Sequence, residues 1–464
     1  MSLEGKQESI GAQLEEEDIV EILEDDEEGS DVPMYEDDDN KEYDVEIVIG
    51  EPESGQDNGM MEEEDKEGIQ REDNSWGVNA LHNQQQSIFA ISLHPHFPNP
   101  PLAITGGEDD VGFIFCPLPL DTESPQKDFS ADTFPPIVLT GHTDSVVAVG
   151  FSFDGEFAAT GGMDGKILIW QRLKINGSTS VGVDEWKSWS NIKELETGSE
   201  ITWLQWHPKG NVIAAGCEDA TVWLWNLPNG NITNVLISHT MSCTSGLFPP
   251  PTGRQLLTTS IDSTLCLWDP RDTTPVWKSS IFVSSNSPEI DPSQHGITAL
   301  SVSPNGQIAA VGSSGGQVKL VNLTKGDTLA TKFTGHAEGE SIEALAFVDL
   351  LNGAAGGNKG VVLVSGATDG RSFVWDVATG RMRAQFQHDE PITALVAHPY
   401  PQLHLVTTAS ADGTLKTWDI RTGDLVDKHV GHTGVVNGVT VAPVEGGKVV
   451  ISAGDEGVSL VWRM

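Results

Sequence analysis

Asp412-Gly-Thr-Leu-Lys-Thr-Trp-Asp419 condenses one repeating unit into eight residues: an acid and a glycine turn the chain, and apolar and polar side chains then alternate up to a tryptophan. Alternation at period two is the pattern of a β-strand, and the glycine supplies the backbone freedom a tight turn needs. Outward from this stretch the pattern recurs at Lys166-Ile-Leu-Ile-Trp170, Thr221-Val-Trp-Leu-Trp225, Thr264-Leu-Cys-Leu-Trp268, Arg371-Ser-Phe-Val-Trp375 and Val458-Ser-Leu-Val-Trp462, with two degenerate copies ending at Phe115 and Val321. The eight terminal residues lie 55, 55, 43, 53, 54, 43 and 44 positions apart. Self-similarity at such a period indicates units that bury their apolar faces against one another.

Each unit carries further parts at fixed offsets. Six positions before the terminal residue stands a turn acid: Asp109, Asp164, Asp219, Asp262, Asp369, Asp412 and Glu456, replaced in the fifth unit by Gly315. Upstream come Gly141-His142, Gly335-His336 and Gly431-His432, with His239 and His388 in like positions, and a hydroxyl recurs at Thr160, Thr258, Ser365, Thr408 and Ser452. An indole N–H, a hydroxyl, an imidazole and a carboxylate can satisfy one another inside an apolar sheet. The spacing therefore predicts a buried four-part hydrogen-bond network, and it assigns these histidines to structure instead of catalysis.

The Gly-His and Trp-Asp units resemble the WD40 family, and that resemblance implies an all-β fold: a single eight-bladed propeller over residues 74–464, preceded by a disordered acidic tail at 1–73. The stretches 172–199, 273–294 and 351–360, rich in Ser, Gly, Asn or Pro, read as loop insertions on one rim. The chain stops just after the eighth third-strand, which leaves that blade short of its outer strand. Residues Trp76-Gly-Val-Asn-Ala-Leu-His82 hold the place before the first unit that Pro136-Ile-Val-Leu-Thr-Gly-His142 hold before the second. They are expected to close the ring and remove an open sheet edge.

Charge limits the function classes. The 464 residues contain 26 Lys and Arg against 69 Asp and Glu, a formal net charge of -43, which repels nucleic acid and anionic membrane and attracts basic partners. Residues 1–75 alone hold 30 acidic and 4 basic side chains, too polar to bury a core against the entropy of ordering. Two apolar islands, Ile19-Val-Glu-Ile-Leu23 and Val45-Glu-Ile-Val-Ile49, interrupt this tail. The tail reads either as a solubilising segment or as one whose islands dock on a partner or on the propeller. Four scattered cysteines, Cys116, Cys217, Cys243 and Cys266, suggest neither a zinc site nor a disulfide framework, and a reducing intracellular compartment fits them. There is no basic-then-apolar leader and no apolar run of about 18 residues, so Asn176-Gly-Ser and Asn231-Ile-Thr read as chance glycosylation patterns.

No catalytic, cofactor or metal constellation emerges. Gly106-Gly-Glu-Asp-Asp110 has the carboxylates of a divalent-cation loop, but it reads as a turn of the repeat, and no phosphate-cradling or nucleophile-elbow motif is present. The better signal is surplus acid beside the turn acids and near the entrance to the first strands, which a propeller puts on one face: Glu108, Asp110, Asp144, Glu200, Glu218, Glu338, Glu340, Asp389, Glu390 and Asp455. Carboxylates around a channel mouth would steer a Lys/Arg-rich peptide onto it. Trp203 and Trp206 read as core before peptide anchors. Trp268-Asp-Pro-Arg271 and Trp418-Asp-Ile-Arg421 resemble the ends by which substrate receptors of cullin-RING ubiquitin ligases grip their adaptor, while the plainer reading pairs Arg271 and Arg421 on the blade rim.

Ala103-Ile-Thr-Gly-Gly-Glu-Asp-Asp110, Gly141-His-Thr-Asp-Ser-Val146, Trp203-Leu-Gln-Trp-His-Pro208, Trp225-Asn-Leu-Pro-Asn-Gly230 and the tail's Glu17-Asp-Ile-Val-Glu-Ile-Leu-Glu24 are together similar to the family of the angio-associated migratory cell protein and its fungal counterpart, the dedicated chaperone of large-subunit ribosomal protein ten. The resemblance implies a monomeric, non-enzymatic chaperone without cofactor. It would capture the basic N-terminal segment of that ribosomal protein during assembly of the large subunit, in the cytoplasm with the nucleus as a second location. A ligase substrate receptor and a general signalling scaffold are the alternative readings.

Overall fold

The computed structural model describes residues 72–464 except 84, 120–128, 175–182, 284–290, 332 and 354–358. The tail, its two islands and the stretch 17–24 lie outside the described residues but for positions 72 and 73.

Eight antiparallel sheets follow one another along the chain. Their first strands are Ile88–Leu93, Val146–Phe151, Ile201–Trp206, Cys243–Leu247, Ile297–Val302, Ile342–Asp349, Ile392–Ala397 and Val436–Val444. Each packs against the first strand of the next sheet, and the eighth packs against the first, so the sheets close into an eight-bladed ring. Seven blades have four strands; the fifth forms a sheet of three, with two isolated bridges, Val318 to Phe333 and Val321 to Thr328, in place of its outer strand.

The eighth blade takes its outer strand from the start of the described chain. Gly77–Ala80 runs antiparallel to Val458–Arg463, with Gly77 opposite Val461 and Ala80 opposite Val458. Closure by Trp76–His82 is thus the observed arrangement, and the sheet edge the sequence left open is paired.

Burial explains why the strand signals vary in clarity. The second strands of blades 1, 2, 4, 5, 6 and 7 are buried along their entire length, as is the third strand of blade 4, Thr264–Trp268. Neighbouring blades cover both faces of these strands, so they read as continuous small or apolar runs instead of alternating. Apolar clusters accordingly bridge successive blades, for instance Trp206, Ile213 and Trp225 of blade 3 with Phe157, Ile167 and Ile169 of blade 2.

All eight blades also share a bulge early in the first strand, at Phe89, Val147, Thr202, Thr244, Thr298, Glu343, Thr393 and Asn437. An extra residue there lets its side chain reach the next blade as well as its own ladder. The Thr202 hydroxyl donates to the Cys243 carbonyl of the next blade at 2.6 Å, Thr298 to Ile342 at 2.7 Å, and the Asn437 amide donates across the closing seam to Ile88 at 3.1 Å.

Two of the stretches read as loop insertions contain blade elements among their described residues. The first contains the outer strand of blade 2, Trp189–Glu196, and a short 3-10 turn, Val183–Trp186; the second contains Pro275–Ser280, the outer strand of blade 4. Their polar composition reflects outer strands with one side facing solvent.

Candidate functional site

The predicted network is present and sets the geometry of one face. In blade 2 the Trp170 indole donates to Thr160 Oγ1 at 3.3 Å, that hydroxyl lies 2.9 Å from His142 Nε2, and His142 Nδ1 lies 3.0 Å from the Asp164 carboxylate. Blades 6 and 7 repeat it with Trp375, Ser365, His336 and Asp369, and with Trp418, Thr408, His388 and Asp412. Blade 4 inserts a second hydroxyl: His239 Nδ1 donates to Thr264 Oγ1 at 2.7 Å, and Thr264 donates to Asp262 at 2.5 Å. Blade 1 lacks the tryptophan but keeps His82 between Thr105 and Asp109. Burial holds the His82 imidazole below its ordinary value despite the opposing hydrogen bond and charge of Asp109.

The turn acids are therefore occupied. Asp109, Asp164, Asp262, Asp369 and Asp412 also accept the backbone N–H of the residue after the histidine, Thr143 onto Asp164 at 3.0 Å and Thr240 onto Asp262 at 2.8 Å, whereas Asp219 in blade 3 accepts from Thr221. Burial opposes ionisation of Asp262 and Asp412, but the nearby His239 imidazole with the hydrogen bond from Thr264, and the hydrogen bonds from His388 and Thr414, more than offset it and hold both carboxyls below the ordinary range. Blade 5, without an acid, uses the Ser313 hydroxyl to accept from the N–H groups of Gly315 at 3.2 Å and Gln317 at 3.1 Å. That blade keeps its turn by this substitution, although Ala215 in blade 3 and Val311 in blade 5 forfeit the network hydroxyl.

These locked turns present two registers of side chains around the mouth. At the turn register the residue before each acid donates its N–H to the connection entering the first strand, at 2.9 to 3.1 Å in all eight blades; in order these residues are Glu108, Met163, Glu218, Ile261, Ser314, Thr368, Ala411 and Asp455. At the loop register, two positions after the histidine, stand Asp144, Met241, Glu338 and Glu390. The residue after each acid, and after Gly315 in blade 5, has a left-handed backbone: glycine in five blades but Asp110, Ala220 and Ser263 in the others.

The ten expected acids all fall in these turns and loops, and the structure draws six of them into one arc. The Ser87 hydroxyl donates to Asp455 and its N–H donates to Glu108 at 3.0 Å, joining blades 8 and 1. The Asp110 carboxyl is raised, first by partial burial and then by the charges of Asp144, Asp109 and Asp164. Glu200 is raised by the hydrogen bond it shares with Glu218, then by that neighbour's charge, and further along by Asp144. The arc thus runs Asp455, Glu108, Asp110, Asp144, Glu200, Glu218 across blades 8, 1, 2 and 3. No described contact joins Glu338, Glu340, Asp389 or Glu390, on blades 6 and 7, to those six. Glu340 accepts the Thr368 hydroxyl at 2.6 Å within its own blade, and the Asp389 backbone N–H donates to Asp412.

Trp203 and Trp206 are buried; Trp203 fills the space beside Gly216 and Gly246, and the Trp206 indole donates to the Gly150 carbonyl at 3.1 Å. Arg271 and Arg421 face solvent, each forked onto the aspartate of its own Trp-Asp pair through Nε and Nη2, at 2.9 and 2.7 Å for Asp269 and at 3.1 and 2.7 Å for Asp419. Both pairs close rim turns. Sequence reasoning overlooked Met163, Met241 and Ile261, although aligning the units on their acids and histidines exposes all three.

Eight locked blades around a mouth bearing excess carboxylates define a ring-shaped protein-binding scaffold, and the chain belongs to the WD40-repeat family. The model for the WD domain, G-beta repeat, matches residues 134–171, 230–269, 288–322 and 380–419, and that for the anaphase-promoting complex subunit 4 WD40 domain matches 184–247. The angio-associated migratory cell protein of Homo sapiens is 29% identical over 366 residues, covering 76% of this chain and 72% of that protein. The ribosome assembly protein SQT1 of Saccharomyces cerevisiae is 27% identical over 438 residues, covering 89% and 92%. The crystal structure of Chaetomium thermophilum Sqt1 bound to the N-terminus of the ribosomal protein L10 superposes with a TM-score of 0.68 at 26% identity, over 85% of this chain and 100% of that one. No described helix is long and apolar enough to cross a membrane.

Proposed function

We propose that this protein is a dedicated, non-enzymatic chaperone that captures the basic N-terminal segment of a newly made large-subunit ribosomal protein and holds it until assembly into the 60S subunit. One observation carries the reading: the arc from Asp455 to Glu218, in which the Glu218 backbone N–H donates to the Glu200 carbonyl at 3.0 Å and sets these two carboxylates beside each other. Carboxylates held this close without a cation gain when a Lys or Arg side chain enters between them, and the field they project speeds encounter with a basic segment. The L10 segment bound by the Chaetomium relative gives the client class. A client of this kind otherwise binds RNA through its phosphates without regard to sequence, and an acidic mouth offers it a reversible, salt-sensitive alternative. Glu338, Glu340, Asp389 and Glu390 extend the same field from blades 6 and 7. The site of action is the cytoplasm, with the nucleus as a second location.

Purification of the protein from its native cells at low and moderate salt, with mass spectrometry of bound proteins, tests this. The reading requires one basic large-subunit ribosomal protein, retained after nuclease treatment and released as salt rises. Recovery of a ligase adaptor and cullin in its place would transfer the function to the Arg271 and Arg421 rim.

A further inference from the structure

The mouth is not uniformly acidic. At the turn register Met163 stands one blade before Glu218 and Ile261 one blade after it, and at the loop register Met241 holds the place that Asp144, Glu338 and Glu390 hold elsewhere. Met163 and Met241 each remain 38% exposed. The fold does not ask for large apolar groups here, because Ser314, Thr368 and Ala411 make the same backbone hydrogen bond in their blades. Met241 and Ile261 are neighbours across one turn: the Ser260 hydroxyl donates to the Met241 carbonyl at 2.8 Å, and the Ile261 N–H donates to Ser242 at 3.1 Å. Methionine is flexible and polarisable, and it suits a surface that must fit side chains of several shapes.

The geometry points to a mouth that reads apolar side chains as well as charge: Met163 on one side of Glu218, and Met241 with Ile261 on the other, receive aliphatic residues of a bound segment whose basic residues go to Glu218, Glu108 and Asp455. This rests on the client reading above and sharpens it. The preferred partner is a segment in which cationic and aliphatic residues are interleaved, and a purely cationic tract is a poorer ligand. Charge sets the encounter and the apolar notches set the discrimination, because burying one aliphatic side chain adds to affinity without adding to salt dependence.

Two peptides of equal length and charge test it, one alternating arginine with valine and the other arginine with serine. They are titrated calorimetrically into the full chain, into the triple variant M163S/M241S/I261S, and into E218K. The three apolar substitutions fall at exposed or half-exposed turn positions where other blades carry small or polar residues, and thermal melts verify that the fold is kept. The wild-type chain is expected to bind the arginine-valine peptide about tenfold more tightly. The triple variant is expected to bind both peptides alike, at the wild-type affinity for the arginine-serine peptide, and E218K to weaken both. Equal wild-type affinities that E218K diminishes, or a preference that survives in the triple variant, would overturn the inference and leave the client reading standing. Affinities indifferent to E218K, or no binding of either peptide, would overturn both.

Discussion

The Trp462 indole donates to the side-chain oxygen of Asn74 at 3.0 Å, a hydrogen bond across 388 residues of chain. In blades 2, 4, 6 and 7 the corresponding indole finds a hydroxyl within its own blade. In blade 8 the Ser452 hydroxyl sits 2.5 Å from His432 Nε2 and 3.3 Å from the Leu460 carbonyl, and the indole turns outward to Asn74. Asn74 also accepts from the Val430 N–H at 2.9 Å and donates to the Val430 and Lys428 carbonyls at 3.2 and 2.9 Å. The last blade is thus completed by one residue of the first strand's approach as much as by the strand itself.

Replacing Asn74 with Ala leaves the Val430 N–H without its partner and the buried Trp462 indole with only its longer, 3.3 Å hydrogen bond to the Val430 carbonyl. Unfolding in urea is expected to show a loss of about 1–3 kcal/mol, with blade 8 protected less against amide exchange than blades 2 to 4. An unchanged midpoint would mean that pairing of Gly77–Ala80 with Val458–Val461 closes the ring unaided.

Thr258 serves two partners at once, accepting from Trp268 at 2.8 Å and lying 2.8 Å from His239 Nε2. Thr258→Val keeps the shape and removes the hydroxyl, stranding two buried polar groups, and is expected to cost about 2–4 kcal/mol. Thr258→Ser keeps the hydroxyl and should cost about 1 kcal/mol for its lost methyl group. Equal losses would show that packing of the methyl, and not the network, is what matters there.

The parts that chemistry forces to recur were legible in the sequence, because a buried indole, imidazole and carboxylate fix one another's spacing. Asp164 and His142 could be paired from their offsets alone, and Trp76–His82 could be placed as the closing strand because it copies Pro136–His142. The bulges at Thr202, Thr298 and Asn437 were not legible: they depend on backbone register, which no side-chain type signals. Neither was the split of the ten acids. Glu200 and Glu218 are 18 residues apart and meet only because Ile201 pairs with Cys217 across the bulged ladder, whereas Glu340, equally prominent in sequence, turns to Thr368.

Asp262 and Asp412 carry carboxyls held below their ordinary value of 3.8 by the network. On acidification the unfolded chain takes up these protons first, so their contribution to stability is complete above about pH 4 and is lost as pH falls through the folded-state values. Unfolding free energy should therefore drop as pH falls below about 4, and Asp412→Asn should flatten the drop while lowering stability at neutral pH. A drop of the same size in that variant would assign acid sensitivity to other groups.

Glu200 has the opposite shift, its carboxyl raised by Glu218. A bound cation between the two favours the ionised form, so client binding at mildly acidic pH releases a proton and weakens as pH is lowered toward the ordinary glutamate range. Calorimetry in buffers of different ionisation enthalpy should detect that proton for the wild type and not for Glu200→Gln. Proton release unaltered by this change would place the coupling elsewhere on the arc.

Arg271 and Arg421 are spent on Asp269 and Asp419, and the double change to Ala should leave client binding within twofold while loosening two rim turns. Loss of a ligase adaptor from purified complexes on the same change would instead give these arginines a binding role.

The central claim is that the carboxylate arc of blades 8, 1, 2 and 3 holds the basic client. The direct measurement is titration of the client's N-terminal peptide into the wild-type chain and into E108K/E218K at two salt concentrations, alongside E340K on the opposite side of the mouth. The account predicts salt-sensitive wild-type binding, at least a hundredfold loss in E108K/E218K, corresponding to about 3 kcal/mol, and a smaller loss in E340K. Wild-type affinity retained in E108K/E218K would contradict it.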